Sequence, residues 1–318
     1  DTFGGYLKIG KRHKISDDDK FDSLTVTDIV VHSSNVGTSL ISWMLTGQEF
    51  REGLLKFGVA KPSGIDLSRD LPGSLKKVNL LNNQLHRANT SYGYGMTITF
   101  AQLFKAYSAF NNDGIAVTPR LVDYLEDAKG RRYTLDPKVG DIQAISKKTA
   151  NQMHDILLEV VKRGTGVAAQ YPGLEIGGKT GTAHIAKNGH YVREYHSSFY
   201  GFANDKFGHK YTIGVLVIRA KKKYKYFASQ SAVPTFKNIV QILAEQGKLT
   251  PDPEVLKKIE EEKVYQAEIT EQKKTSAAKK KKIVKKKKKK KVFTEPQIPT
   301  TKPAPQHVQQ YENIEDLF

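Results

Sequence analysis

The run Ile176-Gly177-Gly178-Lys179-Thr180-Gly181-Thr182-Ala183 limits the fold more than any other stretch of this 318-residue chain. It sets one lysine and two threonines among three glycines, with no bulky side chain at its centre. Glycine has no Cβ, so a second backbone can lie close against it. If the run is extended, Lys179, Gly181 and Ala183 point to one face, and Thr180 and Thr182 to the other. An ammonium and hydroxyls beside a bare strand edge suit a bound carboxylate and a peptide laid alongside it. The rest of the chain reads as scaffold and partners for this strand.

The scaffold follows from turn and periodicity signals. Residues 1–20 are polar, with turn residues at Gly4-Gly5 and Asp17-Asp18-Asp19, and predict a surface loop or hairpin. A short helix is expected over Leu24 to Val31, with Thr25 or Thr27 as its cap. His32-Ser33-Ser34-Asn35 interrupts it with side chains that bond to nearby backbone. Apolar spacing resumes from Val36 to Leu45, and a further helix is expected from Gln48 to Phe57. Loop is expected from Pro62 to Gly73. Ser91-Tyr92-Gly93-Tyr94-Gly95 is a turn that leads into a helix striped with Phe100, Leu103, Phe104, Tyr107 and Phe110. A hairpin is predicted around Asp127 to Gly130, and a helix from a Ser146 cap to about Lys162. Strands are expected at 176–183, 198–204 and 211–219, and a last helix from Gln230 to Gln246. The fold class is therefore α+β: helices, a three-strand meander and a closing helix.

Charge separates this body from the C-terminal stretch. The net charge is +18, but residues 273–291 alone hold thirteen lysines and no acid. We expect 1–250 to form the globular part, 251–272 a charged helical extension, and 273–318 a lysine-rich, proline-containing disordered tail. Lys273–Lys291 lacks interleaved aromatics. It suits point-charge attraction to anionic lipid or wall polymer, or a solvated linker, and no nucleic-acid partner is expected. The closing octet Tyr311 to Phe318 reads as a frayed terminus or a docking peptide. There is no cysteine, which excludes disulfides and cysteine-bound zinc. No apolar run approaches a membrane span. The chain opens at Asp1-Thr2-Phe3 in mid-pattern and reads as part of a longer protein.

Two other chemistries match short stretches. Gly173 to Thr180 fits the phosphate-loop pattern, but that loop needs an apolar strand before it and a helix after it. Here Tyr171-Pro172 comes before it, and strand-like residues come after. His184, His190 and His196 are evenly spaced, yet they straddle a turn at Lys187-Asn188-Gly189 with no carboxylate cluster. We expect no metal and no cofactor.

The ordered set is more specific than its parts. It consists of Ser33-Ser34-Asn35, then Ser91-Tyr92-Gly93-Tyr94-Gly95 before a Gln-Leu-x-x-Ala-Tyr helix, then Gly164-Thr165-Gly166, then Gly178-Lys179-Thr180-Gly181-Thr182-Ala183. Over roughly residues 1–247 this set resembles the transpeptidase domain of class B penicillin-binding proteins, most closely the septal, cell-division type. The resemblance implies the penicilloyl-serine-transferase fold, an antiparallel sheet flanked by helices, with its N-terminal part missing here. It matches Ser33 and Asn35 to the family's Ser-x-Asn motif, and Lys179, Thr180 and Gly181 to its Lys-Thr-Gly motif. It further implies that Ser33, Asn35 and Lys179 are catalytic. The Thr182 N–H would complete an oxyanion hole, and the Thr180 and Thr182 hydroxyls would hold the substrate carboxylate. Tyr92 and Tyr94 either stack on substrate or seal a core edge.

One motif of the family is absent. Its Ser-x-x-Lys pair, which bears the nucleophile, precedes Ser-x-Asn, and no such pair occurs before Ser33. The matches at Ser74-Leu75-Lys76-Lys77 and Ser276-Ala277-Ala278-Lys279 lie in a loop and in the lysine tail. The nucleophile is thus expected on a segment outside this chain, which alone would be inactive. The implied activity of the intact enzyme is peptidoglycan DD-transpeptidation by serine acyl transfer, inhibited by β-lactams. Division and glycan-polymerising proteins are the implied partners. The implied place is the outer, periplasmic face of the cytoplasmic membrane, with an anchor upstream. The alternatives are a DD-carboxypeptidase or β-lactamase-like hydrolase, and a non-catalytic binding module with a polyanion-binding tail.

Overall fold

The computed structural model describes residues 1–136, 139–187, 190–221 and 226–290. The chain divides into two compact units, residues 1–258 and 259–318.

The first unit opens with a hairpin, β1 (Tyr6–Ile9) and β2 (His13–Ser16), with Leu7 paired to Ile15. Five helices come next: α1 (Val26–Val31), α2 (Asn35–Trp43), α3 (Gly47–Lys56), α4 (Val78–Leu81) and α5 (Gln84–Ser91). Caps set their starts. Thr25 accepts from Asp28 N at α1, and Thr46 and Glu49 form a reciprocal capping box at α3. The sequence did not announce α4 and α5, because Gln84, His86, Arg87, Asn89 and Thr90 give α5 little intrinsic helix preference. Tertiary contacts supply what propensity lacks. Asn83 caps α5, Trp43 Nε1 donates to Gln84 O at 3.0 Å, and Ala88 is buried with Ile15 and Val36.

Helix α6 (Phe100–Ser108) begins at a Thr99–Gln102 capping box. Its buried Gln102 Nε2 also donates to Lys61 O and Pro72 O, and its buried Lys105 Nζ to Ser63 O and Thr118 Oγ1. These bonds hold the loop at 58–73 that the sequence leaves without regular structure. Short strands β3 (Ile115–Ala116), β4 (Leu125–Glu126), β5 (Arg132–Tyr133) and β6 (Ile142–Gln143) pair as β3–β6 and β4–β5. The second pair is the expected hairpin. Helix α7 (Lys147–Arg163) starts at the Ser146 cap.

The three-strand sheet is antiparallel, in the order β7 (Glu175–Lys187), β8 (His190–Asn204), β9 (Lys210–Lys221). Strand β7 runs on past Ala183, and β8 begins well before Ser198. Together they form a ribbon of polar residues in which no alternation is visible in the sequence. The turn at Asn188-Gly189 lies outside the described residues. Gly201 of β8 is the register partner of Gly178 of β7. A Cβ on Gly201 would overlap the Gly177 carbonyl oxygen. Helix α8 (Ala232–Glu245) covers one face, burying Val233, Phe236 and Val240 against Ile176, Phe199, Ala203, Ile213 and Val215. On the other face, Phe100 and Tyr107 of α6 lie against Tyr200, and His154 of α7 stacks on Phe202 at 4.2 Å.

Helix α9 (Pro253–Lys290) begins in the first unit and accounts for the described part of the second. It covers the expected charged helical extension and part of the lysine block. Lysines 273–290 are helical, where the lysine block was expected to be disordered. Helical hydrogen bonds are local and need no core. Lysine and alanine are good helix formers, and no glycine or proline interrupts the run before Pro296. Lys291, the proline segment and the octet 311–318 lie outside the described residues. Among the described residues, no helix is long and apolar enough to cross a membrane.

Candidate active site

The site begins where α1 stops. Ser33 N donates to Val30 O and Ser34 N to Ile29 O at 2.9 Å, which closes the helix with Ser33 in the left-handed region at φ +60°. Such a conformation is uncommon for a residue with a Cβ. Ser34 then caps the next helix at once: its buried Oγ accepts from Gly37 N at 2.8 Å. The tripeptide thus divides its labour. Ser34 is the cap, and Ser33 is left exposed with its hydroxyl free of any helix.

Lys179 occupies the facing position on the edge strand. Its register partner is Tyr200, so it belongs to the α6–α7 face, while Thr180 and Thr182, opposite Phe199 and Ser197, belong to the α8 face. Its side chain is long enough to come round the open edge. The ammonium donates to Ser33 Oγ at 2.6 Å, to Thr180 O at 3.1 Å and to Thr180 Oγ1 at 3.2 Å. These partners are two hydroxyls and a carbonyl, with no carboxylate among them to offset the cost of enclosing the charge. The side chain as a whole is half-buried, but its enclosed end is desolvated enough to bring its pKa down to about 8. A lysine at that value carries a sizeable share of neutral amine a little above neutral pH.

Two ties fix the strand relative to Ser33. Arg163, the last residue of α7, pairs with Asp28 of α1 at 2.7 Å and also with Glu159. The hydrogen bond from Thr25, then Arg163, holds the Asp28 carboxyl below its ordinary range. Two residues on, Thr165 Oγ1 lies 2.7 Å from Thr180 Oγ1. Thr165 had a place in the ordered set but no role from sequence. Its flanking glycines, Gly164 and Gly166, were the signal for a close approach.

Asn35 begins α2, and its Nδ2 donates to Ser16 O at 3.1 Å, toward the hairpin. Asp17, which the sequence marks only as a turn residue, takes Ser34 Oγ at 2.6 Å and Val36 N at 2.9 Å. Gly181 lies opposite Ser198, where its missing Cβ leaves room for the Ser198 hydroxyl. Thr182 is exposed, and its Oγ1 accepts from Ala228 N at 3.3 Å, which leaves the hydroxyl proton to donate elsewhere. Tyr92 packs against the Ile15–Val36–Ala88 cluster and donates to Asn89 Oδ1 at 2.6 Å, with Tyr94 edge-on to it at 5.7 Å. For Tyr92 this is the core-sealing arrangement.

The decoys fall elsewhere. Ser74 forms an isolated bridge with Thr97, their hydroxyls 2.7 Å apart, and Lys77 lies at the cap of α4. Ser276 is on α9. Past Thr180 the backbone continues as strand to Lys187, so Gly173 to Thr180 is not a phosphate loop. His184 leans on the Tyr195 ring, and His196 lies opposite Ala183 on β8. Among the described residues, no group of three potential metal ligands forms.

Known proteins with similar sequences and folds point the same way. Residues 4–241 match the family model for the penicillin-binding protein transpeptidase domain. The chain is 31% identical over 241 residues to penicillin-binding protein PbpB of Mycobacterium tuberculosis, covering 72% of this chain and 35% of that protein. It is 28% identical over 247 residues to the peptidoglycan D,D-transpeptidase FtsI of Buchnera aphidicola, covering 76% of this chain and 40% of that protein. The chain thus spans about two fifths or less of the length of these two relatives. Among solved structures, it resembles the apo transpeptidase domain of Burkholderia pseudomallei penicillin-binding protein 3, with a TM-score of 0.67 and 26% identity over 79% of this chain and 72% of that one. It also resembles M. tuberculosis penicillin-binding protein 3 complexed with ampicillin, with a TM-score of 0.67 and 29% identity over 78% of this chain and 57% of that one.

Proposed function

The chain belongs to the family of penicillin-binding protein transpeptidase domains, and from that premise we propose that it forms the proton-relay and carboxylate-binding half of a septal-type peptidoglycan D,D-transpeptidase site. The observation that carries this reading is the 2.6 Å contact between Lys179 Nζ and Ser33 Oγ, made across 146 residues of sequence at an open strand edge.

The proposed reaction is acyl transfer through a serine ester. The serine is that of the family's Ser-x-x-Lys pair, which has no match before Ser33, and Ser74 is engaged with Thr97. As its proton passes to the lysine of the same motif, its oxygen attacks the D-Ala-D-Ala carbonyl of a stem peptide and forms the ester, and the C–N bond to the terminal D-alanine breaks. Ser33 passes a proton to that leaving amine, and Lys179, with its lowered pKa, restores the proton to Ser33. The Thr182 N–H and the N–H of the nucleophile hold the oxyanion. The exposed Thr182 hydroxyl takes the terminal carboxylate, with Thr180 held ready by Thr165. Asn35 orients the substrate amide, and the donor peptide lies along the open edge of β7. A β-lactam acylates the same serine.

We place the enzyme outside the cytoplasm with division and glycan-polymerising partners, and assign Lys273–Lys291 to anionic lipid or wall polymer. Labelling with a fluorescent penicillin tests the core of the proposal. A chain extended upstream is expected to label and the 318-residue chain is not. In the extended chain, Lys179→Ala and Ser33→Ala are expected to slow labelling. Labelling of the 318 residues alone would return Ser74 or Ser276 to consideration, and an extended chain that never labels would end the assignment.

A further inference from the structure

Ser33, Ser34 and Asn35 are three consecutive residues that can each cap a helix, because each has a short side chain ending in an acceptor. The choice among them decides where Ser33 points. With Ser33 as the cap, α2 would start one residue earlier, and Ser33 Oγ would turn onto the backbone N–H of Asn35 or Val36. In the register with Ser34 as the cap, Ser33 has φ +60°, which a residue with a Cβ ordinarily avoids. The observed register is the second, so contacts beyond the tripeptide must favour it.

The bonds from Ser33 N and Ser34 N that close α1 are one set of such contacts, and Asp17 makes the set that acts on the caps themselves. It is the first residue after β2, and its own N–H donates to Gly5 O at 3.0 Å, which fixes it to the base of the hairpin. One carboxylate oxygen takes the Ser34 hydroxyl proton at 2.6 Å, and so turns the Ser34 oxygen's free lone pair to Gly37 N. The other takes Val36 N at 2.9 Å, a donor that a Ser33 cap would need. The neighbouring Ser16 carbonyl takes Asn35 Nδ2, so the Asn35 amide group is also tied to the hairpin. A carboxylate at this helix start is also favoured by the unpaired N–H groups there.

We propose that Asp17 is the positioning residue that selects the register in which Ser33 faces Lys179. This rests on the reading of Ser33 as a proton relay. Asp17 acts through Ser34 and Val36 and does not itself touch the Ser33–Lys179 pair.

The test monitors the Lys179 amine by NMR in the 318-residue chain with labelled lysine, the signal identified by Lys179→Arg. Ser33→Ala defines the titration midpoint of Lys179 without its partner. Asp17→Ala is expected to shift the midpoint from the wild-type value to the Ser33→Ala value. Asp17→Asn keeps the side chain's shape but cannot accept from both Ser34 and Val36, and is expected to shift it in the same direction. It decides the matter if Asp17→Ala does not fold. Ile15→Ala empties the core beneath the same hairpin without touching the carboxylate, and is expected to leave the midpoint at wild type. The proposal is overturned if both Asp17 variants keep the wild-type midpoint, if Ile15→Ala shifts it as far as they do, or if Ser33→Ala shifts nothing. No step of this readout involves acylation. Failure of penicillin labelling would therefore remove the functional reading and leave the register measurement to stand or fall by itself.

Discussion

Ser33 holds its hydroxyl over Lys179 at the expense of a left-handed backbone. Glycine adopts that conformation without the steric cost, which is about 1 kcal/mol for other residues. Ser33→Gly is accordingly expected to unfold at or above the wild-type temperature. In the upstream-extended enzyme it is expected to lose about a hundredfold or more in penicillin acylation, the usual contribution of a general acid–base group. A calorimetric scan beside a labelling time course separates the two effects. Lys179 gives a second expectation. Its pKa is about 8 in the folded chain, below the ordinary 10.5 that the unfolded chain retains. Between those values the unfolded state binds the extra proton, so stability rises with pH there. The cost of enclosing Lys179 is complete below pH 8 and is relieved on the way to pH 10.5. The stability gap between Lys179→Met and wild type should narrow over that interval in urea titrations. Ser33 and Lys179 were legible in the sequence because glycines and a serine pair mark them locally. Asp17 and Thr165 acquire their roles only from neighbours brought in by folding, and a turn aspartate looks like many others.

At the scale of elements, the sheet depends on the β8 backbone at Gly201 lying close against Gly177 and Gly178 of β7. Gly201→Ala would set a methyl against the Gly177 carbonyl, which cannot swing aside as a side chain can. We expect a loss of about 1–3 kcal/mol in denaturant unfolding, the range for overpacking. Gly53, inside α3, has nothing within 4 Å of its would-be Cβ. Gly53→Ala should instead gain about 0.5–1 kcal/mol. The pair of variants distinguishes a glycine required by packing from one that is merely tolerated. The meander, α6, α7 and α8 were readable because their apolar stripes match the strand or helix period. Helix α5 was not, since its polar surface is stabilised through Trp43 and Asn83 and not by pattern. Helix α9 shows no apolar stripe in the sequence, and its helical run is carried by good helix formers uninterrupted by glycine or proline.

The whole molecule is two units that are both basic, with the lysines of the second concentrated in one acid-free block. Shortening the chain after Lys258 removes the second unit, and with it the thirteen lysines of 273–291. The first unit carries its own sheet and cores, so its unfolding midpoint is expected to stay within error of the full chain. Salt-sensitive adsorption to vesicles containing anionic lipid should disappear in the same variant. Retained adsorption would move the attraction to the first unit, and a lowered midpoint would show that its stability draws on the second. The sequence marked the change in charge but not the length of helix that carries it.

The open edge of β7 has one more effect. A strand with free backbone groups along one side can accept any extended chain, including a second copy of itself. Lys179 puts a charge on that side, and the glycines beside it pair poorly as strand. Both discourage self-association while leaving room for a peptide. Lys179→Met, made to probe the chemistry, therefore also removes a safeguard of solubility, and sedimentation velocity on the purified variant should show larger species than wild type.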